Sequence, residues 1–172
     1  MRHNRRIAVL ALCAALLLVA VGCALADGAA TRVYRLGTSC YTIEIPESYV
    51  EGERTEEDIA DDMVAYLKSP DTLLDFDVYQ FSKAGYPDTI AGFAEQEAAE
   101  YESVEVVTDG EVNGISAAWY RAVETYEGQE YATLTYVLED GDDYVEVAFW
   151  LDGENAEAQA RAIMETLTFV TR

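Results

Sequence analysis

Three turn signals in the second half of the chain do most to restrict what it can fold into. Asn113-Gly114, Glu127-Gly128-Gln129 and Asp140-Gly141-Asp142 separate runs in which apolar and aromatic residues alternate with polar ones. Asn-Gly is a strong hairpin signal, and Asp and Gly favour turns through their backbone geometry. The runs are Ile115–Tyr126, Tyr131–Glu139 and Asp143–Leu151. Strands joined by so few residues must be antiparallel neighbours. A further strand, Val104–Thr108, precedes them, and the length of Ile115–Tyr126 predicts a bend or bulge within it.

The first half reads in the same terms. Arg32–Leu36 and Cys40–Ile45 flank Gly37-Thr38-Ser39 as a hairpin. Pro46 ends the second strand because it has no N–H to give a ladder. Thr55-Glu56-Glu57-Asp58 resembles a capping box and predicts one helical turn. Ile59, Met63 and Tyr66/Leu67 have helical spacing. However, Leu74, Phe76 and Val78 alternate cleanly with Asp75, Asp77 and Tyr79, so Met63–Lys68 is expected to pair with Leu73–Ser82 across Ser69-Pro70-Asp71-Thr72. Asp88 or Thr89 caps a helix running to Tyr101, with Ile90, Phe93, Ala94, Glu97/Ala98 and Tyr101 facing inward. A last helix over Ala156–Leu167 turns Ala156, Ala160, Ile163, Met164 and Leu167 inward. Helices this few, placed between runs of strands, predict an α+β fold rather than βαβ crossovers.

Residues 1–26 read as a signal peptide. Arg2, Arg5 and Arg6 precede an uncharged run, Ile7–Val21, that is too short to span a bilayer. Two cleavage sites compete. Ala24-Leu25-Ala26 fits ordinary signal peptidase, with release after Ala26. Ala20-Val21-Gly22-Cys23 resembles a lipobox, which would lipidate Cys23 and anchor the chain to the outer face of the membrane. Release after Ala26 is the expectation and lipidation the alternative. Residues 27–172 then form a single domain, long enough to bury about two-thirds of its surface without staples. Cys40 is the only cysteine left in it and reads as a small buried residue near a strand end.

With three arginines in the leader, residues 27–172 keep 8 of the 11 basic residues and all 33 acidic ones, a formal charge of −25. Such a chain cannot neutralise phosphates, which argues against nucleic acid and against anionic lipid. The charge favours a soluble monomer. The single histidine is His3, in the leader. The domain therefore has no triad, no Cys–His pair and no imidazole ligand. Two acidic groupings remain. Glu139 to Asp143 reads as a solvated turn, since it lacks the spacing of a calcium loop. Asp75 and Asp77 share a strand face about 6.5–7 Å apart, a spacing that overlaps inverting glycosidases. Alternating acids on an exposed strand are the commoner case. No metal or cofactor is expected.

Alternation divides the strands into two faces. Ala132, Leu134, Tyr136 and Leu138, with Val145, Val147, Phe149 and Leu151, read as core. The opposite side carries Tyr131, Thr133, Thr135 and Val137, with Tyr144, Glu146, Ala148 and Trp150, while Trp119 and Arg121 share one face of the preceding strand. Rigid strands presenting Tyr and Trp offer contact area at little entropic cost. Trp119, Arg121, Tyr131, Thr133, Thr135, Tyr144, Glu146 and Trp150 are therefore the candidate binding surface.

The segment YTIEIPESY is similar to the aromatic, alternating, proline-ended opening of the Mog/PsbP-like family. The resemblance continues through LLDFDVYQF, TIAGFAEQEAAEY, VNGISAAWY and the closing TLTF, over residues 32–170. It implies an α/β/α sandwich around a mainly antiparallel sheet with two main helices, and hence a helix covering the aromatic face. Members of this group are mostly binding or assembly proteins, including partners of photosynthetic complexes and of a small GTPase, a role at odds with the leader. It transfers no catalytic residue. The expectation is a non-enzymatic, extracytoplasmic binding or assembly module at the cell envelope, with an unidentified protein or glycan partner. The alternatives are a carboxylate-only hydrolase acting on glycans and a lipid-anchored structural protein.

Overall fold

The computed structural model describes residues 30–70, 74–105, 107–126 and 129–171. The segment read as a leader, with Cys23, lies outside them, as do Asp71, Thr72 and Leu73, Val106, and Glu127 and Gly128. No helix among the described residues is long and apolar enough to cross a membrane.

Two antiparallel sheets are present. β1 (Thr31–Arg35) and β2 (Tyr41–Pro46) form the first hairpin, and β11 (Thr168–Phe169) joins the free edge of β2. The larger sheet begins with β3 (Val50–Glu51), β4 (Met63–Lys68) and β5 (Phe76–Ser82). It continues with β6 (Ser103–Val104), β7 (Thr108–Val112), β8 (Ile115–Tyr126), β9 (Gln129–Asp140) and β10 (Asp143–Trp150). The strand order is β3-β4-β5-β10-β9-β8-β6, with β7 also paired to β8.

The turn chemistry dictates this order. Val112 lies opposite Ile115, leaving Asn113 and Gly114 as a two-residue loop at φ 49° and 76°, the positive-φ pair of a type I′ hairpin. The Asn113 side chain donates from Nδ2 to the Leu167 carbonyl at 2.8 Å, tying this turn to the end of the last helix. Asp140 faces Asp143 across Gly141, which sits at φ 66°. The hairpin of β4 and β5 is present, in register from Ala65↔Val78 to Leu67↔Phe76, with an irregularity between Met63 and Ala65.

Three helices are described. α1 (Glu56–Ala60) is the single turn set up by the capping box, with Thr55 and Asp58 bonded reciprocally at 3.1 and 2.6 Å. α2 (Ile90–Ala98) is capped by Thr89, whose hydroxyl accepts from Gly92 N. It stops short of the expected Tyr101, because Glu100 and Tyr101 donate to carbonyls three residues back and tighten the last turn. α3 (Ala156–Met164) ends the same way, at Thr166 and Leu167.

The irregularity expected in β8 lies in its partner. β8 runs in unbroken register with β9, whereas the expected strand Val104–Thr108 is split. Val104 faces Ala122 and Thr108 faces Trp119, so the register shifts by one residue between β6 and β7.

The layers follow from which faces are apolar. On one face of the larger sheet, Phe76, Leu134, Leu138, Val145, Val147 and Phe149 pack against α3 and against Tyr41, Ile43 and Ile45 of β2. On the other face, α2 packs Phe93, Ala94 and Ala98 onto Ala118, Tyr120, Ala122, Val137 and Tyr144. The fold is an α+β sandwich, helix on sheet on helix, with the three-stranded sheet beside α3. Cys40 is buried where β2 begins.

Candidate functional site

The second face of the larger sheet is half covered. Where α2 lies, Phe93 stacks on Tyr144 with ring centroids 4.4 Å apart, and Phe81 and Tyr86 close around it. Tyr144 is fully buried and donates its hydroxyl to the Pro87 carbonyl at 2.6 Å. Thr135 is buried as well. These two candidates belong to the core, which is what the sandwich resemblance implied.

Beyond the end of α2 the face opens. Asp77, Tyr79, Thr133, Glu146, Ala148 and Trp150 floor a cavity of about 450 Å³. Its walls are Ala60–Asp62, at the end of α1, and Glu97 and Tyr101 at the exit of α2. A second cavity of about 560 Å³ lies alongside, lined by Tyr66, Pro70, Asp75, Tyr131, Trp150 and Leu151, among others. Both volumes fall in the range of small-ligand sites. Trp150 lines both, and its ring is fixed by an Nε1–H bond to Asp77 Oδ2 at 2.6 Å. Tyr131 meets it edge-on at 6.4 Å.

Trp119 and Arg121 lie on the other side of the sheet. Across the ladder Trp119 faces Tyr136 and Arg121 faces Leu134, both on the α3 side. Trp119 is half-buried over Gly110, where an added Cβ would meet its Cη2 at 3.0 Å. Arg121 reaches Glu105 at 3.4 Å and Glu157 at 3.9 Å. The eight candidates therefore divide three ways. Tyr131, Thr133, Glu146 and Trp150 meet at the two cavities; Thr135 and Tyr144 are packed inside; Trp119 and Arg121 face away.

The paired carboxylates do not share a chamber. Asp75 lines the larger cavity and accepts from Ser69 N and the Tyr66 hydroxyl, each at 2.9 Å. Asp77 lines the smaller one. The acids at the Asp140 turn serve the protein's own donors: Asp140 Oδ2 accepts from Cys40 N at 3.1 Å and Asp143 from Gln80 at 2.7 Å. Lys83 pairs with Glu139.

Electrostatically the smaller cavity is unusual. Glu146 is 5% exposed, and its Oε2 has no hydrogen-bond partner among the described residues. Burial, then the nearby Glu97 and Asp77, pushes its carboxyl up to about 8. Asp77 is 4% exposed, and burial pushes it up to about 6 against the opposing Trp150 bond, with Asp58 and Asp75 adding to the rise. Burial also raises Glu97. A carboxylate without a partner in so dry a place is costly, and such sites are enriched at functional positions. The aromatic-face pattern pointed to Glu146, but it left Asp77 and Glu97 out of the surface. The missed signal was a glutamate at an inward position of the helical stripe.

No family model matches the chain, and none of the curated proteins does. Solved structures do match. The chain is similar to the cyanobacterial PsbP (CyanoP) of Synechocystis sp. PCC 6803, with TM-score 0.58 and 8% identity over 84% of this chain and 95% of that one. It is similar to LpqN, involved in cell envelope biogenesis of Mycobacterium tuberculosis, with TM-score 0.51 and 11% identity over 84% of this chain and 93% of that one. A protein from Bacteroides thetaiotaomicron VPI-5482 matches with TM-score 0.54 and 17% identity over 80% of this chain. The match spans 50% of the Bacteroides protein. At these identities the likeness speaks for architecture alone: the chain has a PsbP-like fold.

Proposed function

We propose that the chain is a non-enzymatic binding or assembly module of the Mog/PsbP-like family, working outside the cytoplasm at the bacterial cell envelope. The observation that carries this reading is the half of the sheet face left open beyond α2, where Trp150, Tyr131 and Tyr66 line adjoining cavities on rigid strands. Aromatic side chains held in this way suit a protein or glycan partner. The leader pattern supports an address outside the cytoplasm, by release after Ala26 or through a lipid on Cys23. The fold shared with LpqN is in keeping with envelope work.

Trp150→Ala is the test. The expected result is a folded, sheet-rich variant that no longer binds, saturably, the envelope glycan or protein fraction retained by the wild type. Undiminished binding by a folded Trp150→Ala would overturn the reading.

One observation favours a second reading, a carboxylate-only hydrolase acting on envelope glycans. Glu146 is held protonated near neutral pH in the same cavity as Asp77, as a general acid must be. Glycan turnover by the wild type that vanishes in Glu146→Gln would favour this reading over the first.

A further inference from the structure

The smaller cavity is built for more positive charge than it contains. Glu146 brings a carboxyl oxygen with no partner, and Thr133 brings a hydroxyl in the same condition. Asp61, Asp62, Asp77 and Glu97 add four more carboxyls to the lining, and no lysine or arginine lines the cavity. Among the described residues, no three such acids are placed to hold one metal ion. Tyr79, Phe81, Tyr86, Tyr101 and Trp150 bring aromatic side chains to the same lining. Acceptors at one point and ring faces around them are the two features that recognise an alkylammonium group, through charge-assisted hydrogen bonds and cation–π contact.

Resting on the proposed binding role of this face, we infer that the smaller cavity takes an organic cation bearing a primary amine, its ammonium on Glu146 and Asp77 and its carbon stem against Tyr79 and Trp150. Glu146 holds its proton here, because burial and its acidic neighbours disfavour the charged form. The groups facing it are Asp77 and Tyr79 from β5 and Glu97 and Tyr101 from α2 and its exit. Asp61 and Asp62 close the side after α1, and Tyr120 faces it from β8. None of these is cationic, so an incoming ammonium is the charge that lets Glu146 ionise. Binding near pH 7 therefore releases the Glu146 proton to solvent.

The experiment is calorimetric titration of the purified protein with 1,5-diaminopentane and with methylammonium, in two buffers of different ionisation enthalpy. 1,5-Pentanediol serves as the neutral control. The expected result is saturable 1:1 binding of at least one amine, with proton release and without binding of the diol. Glu146→Gln should weaken that binding about tenfold or more and abolish the proton release. Glu165→Gln, the same substitution made on the far side of the sheet, should do neither. The inference is overturned if neither amine binds, if the diol binds as well, if Glu146→Gln binds unchanged, or if Glu165→Gln weakens binding equally. Failure of the amines while Trp150→Ala still abolishes envelope binding sinks the cation chemistry alone. Envelope binding that survives Trp150→Ala sinks the underlying role.

Discussion

Glu146 shows how one residue can tie stability to pH. Folded, its carboxyl stays protonated up to about 8; unfolded, it ionises near 4.5. Between these values the folded state binds the extra proton, so stability falls as pH rises across that window. Asp77 adds to the same slope between 3.8 and about 6. Above pH 6 the remaining slope belongs to Glu146, with Glu97, whose carboxyl burial also raises, acting in the same sense. The melting temperature should therefore drop between pH 6 and 8, and Glu146→Gln should flatten that drop and melt higher than wild type at pH 8. Thermal melts of both proteins across this range decide it; parallel curves would refute the assignment. The sequence placed Glu146 on the correct face. Its isolation was not legible, since that depends on how far α2 extends and on which donors reach it.

At the scale of elements, the hairpins were readable because period-2 alternation and Asn-Gly or Asp-Gly turns each have a direct backbone cause. Short pieces were not: β3, β6 and β11 have two residues each, too few to show a period. The side on which Trp119 falls was illegible for another reason. Trp119 and Arg121 share a face of β8 whatever its pairing, but which neighbours they meet depends on register, and a slip of one residue exchanges the two faces. The observed register puts Trp119 opposite Tyr136 and over Gly110 of β7. Gly110 is thus a packing position, where the ring occupies the room a side chain would need. Gly110→Ala should destabilise the domain by about 1–3 kcal/mol, as overpacking does, without touching either cavity. Urea unfolding measures this; a neutral or stabilising effect would mean that the ring shifts freely.

Across the whole molecule, acids far outnumber bases: residues 27–172 carry a formal charge of −25, which repels itself. The ion pairs among the described residues, such as Arg161 with Glu157 at 2.8 Å, are wholly or partly exposed and contribute little. The packed layers carry the stability instead: β2, β11 and α3 on one side of the larger sheet, α2 on the other. Screening relieves repulsion between surface charges, so raising salt from about 0.01 to about 0.15 M should raise the melting temperature. Melting curves at the two salt concentrations test this, and an unchanged or lower value would show that local pairs outweigh the net field. The composition made this balance plain; how the open floor is partitioned was not in it. Trp150 is a party wall between two rooms, pinned by a single bond to Asp77. Any guest that presses on the indole from one room redraws the outline of the other, so their occupants cannot be strangers to each other.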